Sequence, residues 1–313
     1  MDQLTVLRRY LCLLRMVRPP FRYPQKNDLL EALKEEGILH CSGRTLERDI
    51  KKLKNEYGVS VAYDARRRGY YLHIEPDEDI SDFTQFVRLL ERRERMEFLG
   101  SSVDSLSTAQ YLLLEDNHYF QGNSYLPLIW EALRQKRVVR FLYKAFSKTA
   151  KPRERWVEPG LILEDRNRWY LVGREIKTER VKVKTFGLDR ILELKLTEDS
   201  FTGDPAREYR EQKPHIIGIT YEPDEPLQTI VLRFTPRQSP YIKSLPLHPT
   251  QQILAEDEQG LTVSIEVVIN YELEREILSH GERVEVLAPE RLRQQITKRL
   301  KQCFSYYPEL KKT

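Results

Sequence analysis

The sequence predicts a multidomain α+β protein with a winged helix-turn-helix, a helical bridge, a small β-barrel and a C-terminal α+β domain. Apolar residues recur at helical spacing in three short segments before residue 58, and a hairpin pattern follows them. Five short strand-like runs separated by polar turns lie within residues 138–197, and strands alternate with helices beyond residue 226. In a chain of 313 residues, we place the four parts at residues 1–75, 76–125, 126–205 and 206–313.

The first part contains the signals of three short helices and a hairpin. Residues 4–17 have leucines at helical spacing and predict the first helix. Gly37 is suited to end a second helix, because glycine adopts the left-handed conformation at little cost. Ser42 can cap a third helix that reaches Tyr57. Residues 59–74 then alternate as two strands, the pattern of a wing, around a basic tip formed by Arg66, Arg67 and Arg68.

The third helix has two distinct sides. One side carries an apolar stripe that we expect to pack on the first two helices: Leu46, Ile50, Leu53 and Tyr57. The other side is polar and cationic, with Arg44, Thr45, Arg48, Lys51 and Lys52. Arg44 and Arg48 can hydrogen-bond to guanine edges through their planar guanidinium groups. We expect Lys51, Lys52 and Lys54 to contact phosphates. A solvated charged face is the alternative interpretation of the same pattern.

Positive charge is concentrated in the first quarter of the chain. Residues 1–75 contain 15 Lys and Arg against 10 Asp and Glu, a net charge of +5. The other 238 residues contain 37 against 38, a net charge of −1. A small domain that meets phosphates is expected to produce this distribution, although an excess of this size also arises by chance.

Four motifs, in this order along the chain, resemble WYL-domain transcription regulators. Residues 44–50 read Arg-Thr-Leu-Glu-Arg-Asp-Ile and resemble the recognition helix of that family. Residues 168–173 read Arg-Trp-Tyr-Leu-Val-Gly and contain the tripeptide that names it. Residues 185–191 read Thr-Phe-Gly-Leu-Asp-Arg-Ile and resemble the closing motif of the WYL domain. Residues 280–292 resemble the C-terminal extension of the family, called WCX.

The resemblance implies a Sm-like SH3 barrel (WYL) for the third part, a homodimer, and a sensor of nucleotides, oligonucleotides or nucleic-acid ends. Strand alternation supports a charged ligand, because alternate residues from Arg180 to Lys184 share a cationic face. Charge-assisted hydrogen bonds to oxyanions are strong, and neighbouring aromatic rings can stack on a base. The candidate ligand-binding residues are Tyr143, Arg155, Trp169, Tyr170, Arg180, Lys182, Lys184 and Arg190.

The barrel residues also have other interpretations. The cationic face is equally compatible with the solvated side of an antiparallel sheet, and Trp169 and Leu171 fit a core better than a ligand site. Lys184 and Gly187 stand where the closing motif of the family commonly has arginine. Lysine lacks the bidentate fork of arginine and glycine has no side chain, whereas Arg190 is retained.

Several other classes of protein lack support in the sequence. No uninterrupted apolar run approaches the length of a membrane span, and the first residues lack the order of a secretory signal, so a cytoplasmic location is expected. Three widely separated cysteines predict neither a disulfide framework nor a cysteine zinc site. Glycine loops for phosphate, the HExxH zinc motif and the nucleophile elbow are absent. We therefore expect neither an enzyme nor a cofactor.

The favoured hypothesis is a bacterial homodimer that binds double-stranded DNA at an inverted-repeat operator. We favour a repressor that a nucleotide or oligonucleotide effector releases from DNA. Activation of transcription through the same geometry is equally compatible with the physical argument. One alternative is an RNA- or single-strand-binding module with the barrel as its main contact surface. Another is a scaffold whose basic wing binds an acidic protein.

Overall fold

The computed structural model describes residues 3–18, 23–74, 80–102, 122–146 and 151–307. The chain forms two compact units, residues 1–115 and 116–313. The first contains a winged helix-turn-helix, and the second contains a small barrel and an α+β domain. The predicted fold class is thereby confirmed. Within the described residues, no helix is long and apolar enough to cross a bilayer.

The first unit consists of four helices and one hairpin. Its elements are α1 (Gln3–Val17), α2 (Lys26–Glu35), α3 (Gly43–Tyr57), β1 (Ser60–Asp64), β2 (Gly69–His73) and α4 (Ile80–Ser102). Leu14, Leu33 and Leu53, from three different helices, are fully buried in one core. The apolar stripes of the sequence therefore meet at the centre of the domain.

The ends of α2 and α3 follow the cap residues that the sequence provides. Ser42 Oγ accepts a hydrogen bond of 3.2 Å from the Thr45 amide at the start of α3. Gly37 after α2 has a φ of 82°, and Gly58 after α3 has a φ of 73°. Both glycines adopt the left-handed conformation that ends a helix, as predicted.

A buried ion pair joins α1 to α3. The Arg9 and Asp49 side chains form hydrogen bonds of 2.6 and 3.2 Å, and each residue is 3% exposed. This hydrogen bond raises the pKa of the Arg9 guanidinium above its ordinary value. Because each charge is buried, each depends on the other for stability. The pair therefore fixes how α3 lies on α1.

The wing is held at and beside its tip. At the tip, Asp64 Oδ1 accepts hydrogen bonds from the amides of Arg66 (2.8 Å) and Arg67 (3.1 Å). Beside the tip, at the start of β2, the Tyr70 amide donates to the Pro24 carbonyl at 2.9 Å. A Cβ on Gly69 would lie 2.2 Å from the Tyr23 carbonyl oxygen, so this close backbone approach requires glycine.

The helical bridge was predicted over residues 76–125, and only part of it is described. Helix α4 packs on the core of the first unit through Phe83, Val87 and Leu90. It is therefore a fourth helix of that unit. Residues 76–79 and 103–121 of the predicted bridge lie outside the described residues.

The second unit begins with a helix and a five-stranded meander. The elements are α5 (Leu126–Gln135), β3 (Arg137–Tyr143), β4 (Arg153–Asp165), β5 (Arg168–Ile176), β6 (Lys182–Gly187) and β7 (Ile191–Ser200). The strand order is β6-β5-β4-β3-β7, so the last strand returns to pair with the first. A 3₁₀ turn at Leu188–Arg190 makes that return. Phe141, Leu171 and Ile129 are buried together in the core.

The second unit ends with an antiparallel sheet covered by helices. Its elements are α6 (Arg207–Gln212), β8 (Leu227–Phe234), α7 (Ser239–Ser244), β9 (Gln252–Asp257), β10 (Gly260–Val268), α8 (Tyr271–Ser279), β11 (Val284–Ala288) and α9 (Glu290–Ser305). The strand order β11-β8-β10-β9 with this succession is a split β-α-β arrangement. The sequence predicted this alternation but missed α6 and β9. All six residues of β9 are exposed, so no apolar alternation marks the strand.

We expect Asp49→Ala to destabilise the first unit by about 3 kcal/mol or more, because it leaves the Arg9 charge buried without a partner. The three tryptophans, Trp130, Trp156 and Trp169, all lie in the second unit. Peptide-resolved hydrogen exchange over residues 43–57 is therefore the suitable measurement.

Glu47→Ala is the matched control, since it breaks only the exposed pair between Glu47 and Lys26. Unchanged exchange in the Asp49 variant would contradict the role assigned to the ion pair.

Candidate functional site

The cationic side of α3 faces solvent. Arg44, Arg48 and Lys51 are exposed, and so are Lys52 and Lys54. The opposite side packs inward, with Leu46 and Leu53 buried and Ile50 half-buried. Tyr57 is partly exposed, but its ring lies 5.5 Å from that of Phe86 and 6.1 Å from that of Tyr10. The orientation of α3 is the one that a DNA-reading helix requires.

Some of the predicted DNA-binding residues of α3 already have local partners. Thr45 is half-buried, and its Oγ1 lies 3.0 Å from Ser42 Oγ, so it helps to cap the helix. Lys52 Nζ lies 4.0 Å from the Glu56 carboxylate one turn later. Such an exposed pair is weak and can be exchanged for a phosphate. Arg44 and Arg48 form no ion pair with another described residue.

The wing extends the same kind of surface. Arg66, Arg67 and Arg68 are all exposed in the loop between β1 and β2. Arg68 has a φ of 53°, and the Arg67 guanidinium lies 4.4 Å from the centre of the Tyr23 ring. The hairpin therefore presents three guanidinium groups at one tip.

The second unit contains a pocket of about 400 Å³ beside the edge strand β6. Aromatic rings form much of its lining: Tyr143, Phe146, Tyr170 and Tyr221. Its charged lining residues are Arg168, Lys184, Asp189 and Arg190. Three cations and one carboxylate give the lining a net charge of +2. The pocket combines stacking surfaces with positive charge.

The pocket brings together half of the predicted ligand-binding residues. Tyr143, Tyr170, Lys184 and Arg190 line it. Arg155, Trp169, Arg180 and Lys182 do not. Arg180 and Lys182 are exposed near the turn between β5 and β6, and Trp169 packs against the barrel core beside the fully buried Leu171. Of the three residues that the strand pattern placed on one face, Arg180, Lys182 and Lys184, only Lys184 therefore lines the pocket.

A buried carboxylate explains where Arg155 lies. Glu175 is 2% exposed. Its Oε1 lies 2.5 Å from Arg155 Nη1, and its Oε2 accepts a hydrogen bond from Lys184 Nζ. The two cations satisfy a carboxylate that would be costly to bury alone. Arg155 is thus a partner of Glu175, and Lys184 is anchored by Glu175 at the pocket.

Arg190 is held between two rings. Its guanidinium lies 4.4 Å from the centre of the Tyr143 ring and 4.7 Å from that of Phe146. Its Nε donates a hydrogen bond of 3.0 Å to the Lys144 carbonyl. Burial raises the pKa of Tyr143, whose hydroxyl oxygen accepts from the Gly187 amide at 3.1 Å. Arg190 is the lining cation that forms no ion pair with a described carboxylate.

Among the charged and aromatic lining residues, sequence reasoning missed four: Phe146, Arg168, Asp189 and Tyr221. Arg168 and Asp189 form an ion pair, although 21 residues separate them in sequence. Arg168 lies in the motif of residues 168–173 and Asp189 in that of residues 185–191, so these motifs could have marked both as pocket residues. Tyr221 follows the barrel strands, so no strand pattern marks it.

Metal binding has no support in the described part of the chain. There, no group of three or more His, Cys, Asp or Glu side chains is placed to hold a metal ion. Burial raises the pKa of the Cys12 thiol to about 11, so this cysteine remains protonated in the core.

Comparison with known families gives two matches in the second unit. Residues 124–196 match the WYL domain model, and residues 226–304 match the WCX domain model. No curated protein matches the chain. The second unit therefore contains a WYL domain followed by a WCX domain, as the motifs predicted.

Two solved structures are similar to this chain. Proteasome accessory factor B/C (PafBC) of Arthrobacter aurescens is 18% identical over 99% of this chain, with a TM-score of 0.32. This chain spans 49% of the length of PafBC. A CRISPR Cas-related protein is 13% identical over 98% of this chain and 86% of its own, with a TM-score of 0.41.

Proposed function

We propose that this WYL-domain protein is a DNA-binding transcription regulator, a repressor whose WYL pocket senses an anionic, nucleotide-like ligand. It is a binding protein rather than an enzyme. Because it acts on DNA, the proposal includes a bacterial cytoplasmic location.

One observation carries the proposal: α3 turns its arginines and lysines to solvent while its apolar side and Asp49 are buried. The buried pair with Arg9 holds that orientation without using the exposed cations. The wing arginines belong to the same compact unit. Exposed arginines near the N-terminus of a fixed helix suit base edges in the major groove.

The regulatory part of the proposal requires two copies and a ligand. In a homodimer, two copies of α3 would enter successive major grooves of an inverted repeat. A ligand in the WYL pocket changes DNA affinity only if it binds two dimer arrangements with different affinity. The pocket supports the ligand class because it combines Arg190, Lys184 and aromatic rings.

Selection of duplexes from a random library tests the core of the proposal, with enrichment of an inverted repeat as the expected outcome. A parallel titration with single-stranded RNA tests the alternative, an RNA- or single-strand-binding module. Preference for RNA, lost on substitution in the barrel, would favour the single-strand-binding module. Absence of any duplex preference at moderate ionic strength would overturn the regulator.

Arg48→Ala should weaken binding to the selected duplex by about 1–3 kcal/mol and relax the preference at one base pair. The reason is the loss of the guanidinium group, whose two N–H donors can hydrogen-bond to one base edge. Arg95→Ala, an exposed arginine on α4, is the matched control. Equal affinity of wild type and the Arg48 variant, measured by fluorescence anisotropy, would remove Arg48 from the contact surface.

Lys52→Ala should weaken binding to all duplexes alike and reduce the slope of log affinity against log salt by about one. A phosphate contact releases counterions whatever the base sequence, which explains both effects. Titrations at several salt concentrations measure the slope. A sequence-dependent loss with an unchanged slope would assign Lys52 to bases.

Arg190→Ala should abolish ligand binding and leave the affinity for DNA intact, because it removes the cation held between Tyr143 and Phe146. Calorimetry with nucleoside monophosphates and short single strands measures the first effect. Arg180→Ala is the control, since Arg180 lies outside the pocket lining. Retained binding in the Arg190 variant would move the ligand site elsewhere.

A further inference from the structure

Asp189 introduces a negative charge into a pocket that is otherwise cationic. Its Oδ2 accepts a hydrogen bond from Arg168 Nη2. Its Oδ1 has no hydrogen-bond partner among the described residues. A ligand that binds only through phosphate has no use for a carboxylate at this place, because like charges repel. The carboxylate is suited to a part of the ligand that donates hydrogen bonds.

Gly187 lies directly beneath that carboxylate in the pocket lining. A Cβ at this position would lie 2.6 Å from Asp189 Oδ1 and 3.6 Å from the Tyr170 ring. A side chain here would therefore displace the Asp189 carboxylate. Glycine allows Oδ1 and the Tyr170 ring to line the pocket together.

Arg168 holds one oxygen of that carboxylate. Its Nη2 donates to Asp189 Oδ2, while its own Nε is buried and has no hydrogen-bond partner among the described residues. The bond from Nη2 fixes Oδ2 and leaves Oδ1 for a ligand.

We propose that Asp189, seated against Gly187, selects a guanine-type base, whose ring edge carries adjacent N–H donors. The N1–H and N2–H groups of guanine donate to the carboxylate, and the ring lies against Tyr170. The phosphate lies toward Arg190 and Lys184, which line the same pocket. This inference rests on the proposed function of the pocket as a nucleotide sensor and names the base that it reads.

Adenine fits this site less well for a chemical reason. It presents a ring nitrogen acceptor where guanine presents N1–H, and an acceptor facing a carboxylate is repelled. Hypoxanthine has N1–H but lacks the exocyclic amine on C2, so it retains one of the two hydrogen bonds. The expected order of affinity is guanine, hypoxanthine, adenine.

Calorimetric titration of the full chain with GMP, IMP, AMP and inorganic phosphate tests the order. Because hydrogen bonds to a charged group are strong, GMP should bind roughly tenfold or more tightly than AMP, with IMP between them. Inorganic phosphate should bind weakly and compete with all three.

Gly187→Ala is the sharpest variant. Gly187 has φ −64° and ψ 128°, which alanine adopts freely, and only the end of the flexible Asp189 side chain must move. The affinity for GMP should fall to that for AMP, whereas the affinity for inorganic phosphate, which lies toward Arg190 and Lys184, should change least. Gly100→Ala is the matched control, because a Cβ there meets no atom within 4 Å.

Asp189→Asn is a second variant, in which the side chain keeps its shape and loses its charge. Its thermal melting curve shows whether the variant is folded. It should also lose the preference for GMP, since the amide has half the acceptor capacity and adds a donor. A preference for GMP that survives both variants would overturn the proposal.

The outcomes separate this inference from the proposed function. Equal binding of GMP and AMP, both abolished by Arg190→Ala, would overturn base selection and leave the nucleotide sensor standing. No binding of any nucleotide, with duplex binding intact, would overturn the sensor and this inference together.

Discussion

The ion pair between Arg9 and Asp49 determines what the first unit presents to solvent. Helix α3 is strongly charged on most sides, so apolar packing through Leu46 and Leu53 alone would leave its rotation weakly defined. A buried carboxylate with one available counter-ion admits a single arrangement, because any rotation would separate two desolvated charges. The exposed cations of α3 are consequently not required for this buried pair and remain accessible to a partner.

The sequence predicted the elements of this unit well, and the reason is local. Leucine spacing, Ser42 and the two glycines each act within a few residues, so their effect can be read from the chain. Asp49 was not predicted as a core residue, since a carboxylate within a charged run resembles a solvated face. Its partner lies 40 residues earlier, and only the tertiary fold brings the two together.

Only half of the predicted ligand-binding residues line the pocket, because sequence patterns report local structure and not tertiary contacts. Motifs marked Tyr170 and Arg190, and strand patterns marked Tyr143 and Lys184, but alternation along one strand says nothing about a neighbouring strand. Glu175 takes Arg155 out of the set and anchors Lys184. The pairing of Arg168 with Asp189 and the arrival of Tyr221 likewise depend on strand order and on chain beyond the barrel. Charge type was visible in the sequence, whereas the partner of each charge was not.

The C-terminal sheet has an open edge with a consequence for solubility. Among the described strands, β9 pairs with β10 alone, so its outer amides and carbonyls are available to another strand, and Ile253 and Leu254 are more than half exposed. Two features oppose such an addition. The register shifts beside Leu254, which bends the edge, and Glu256 and Asp257 place carboxylates at the end of the strand. The bend and the carboxylates are features that disfavour the addition of a further strand at this edge.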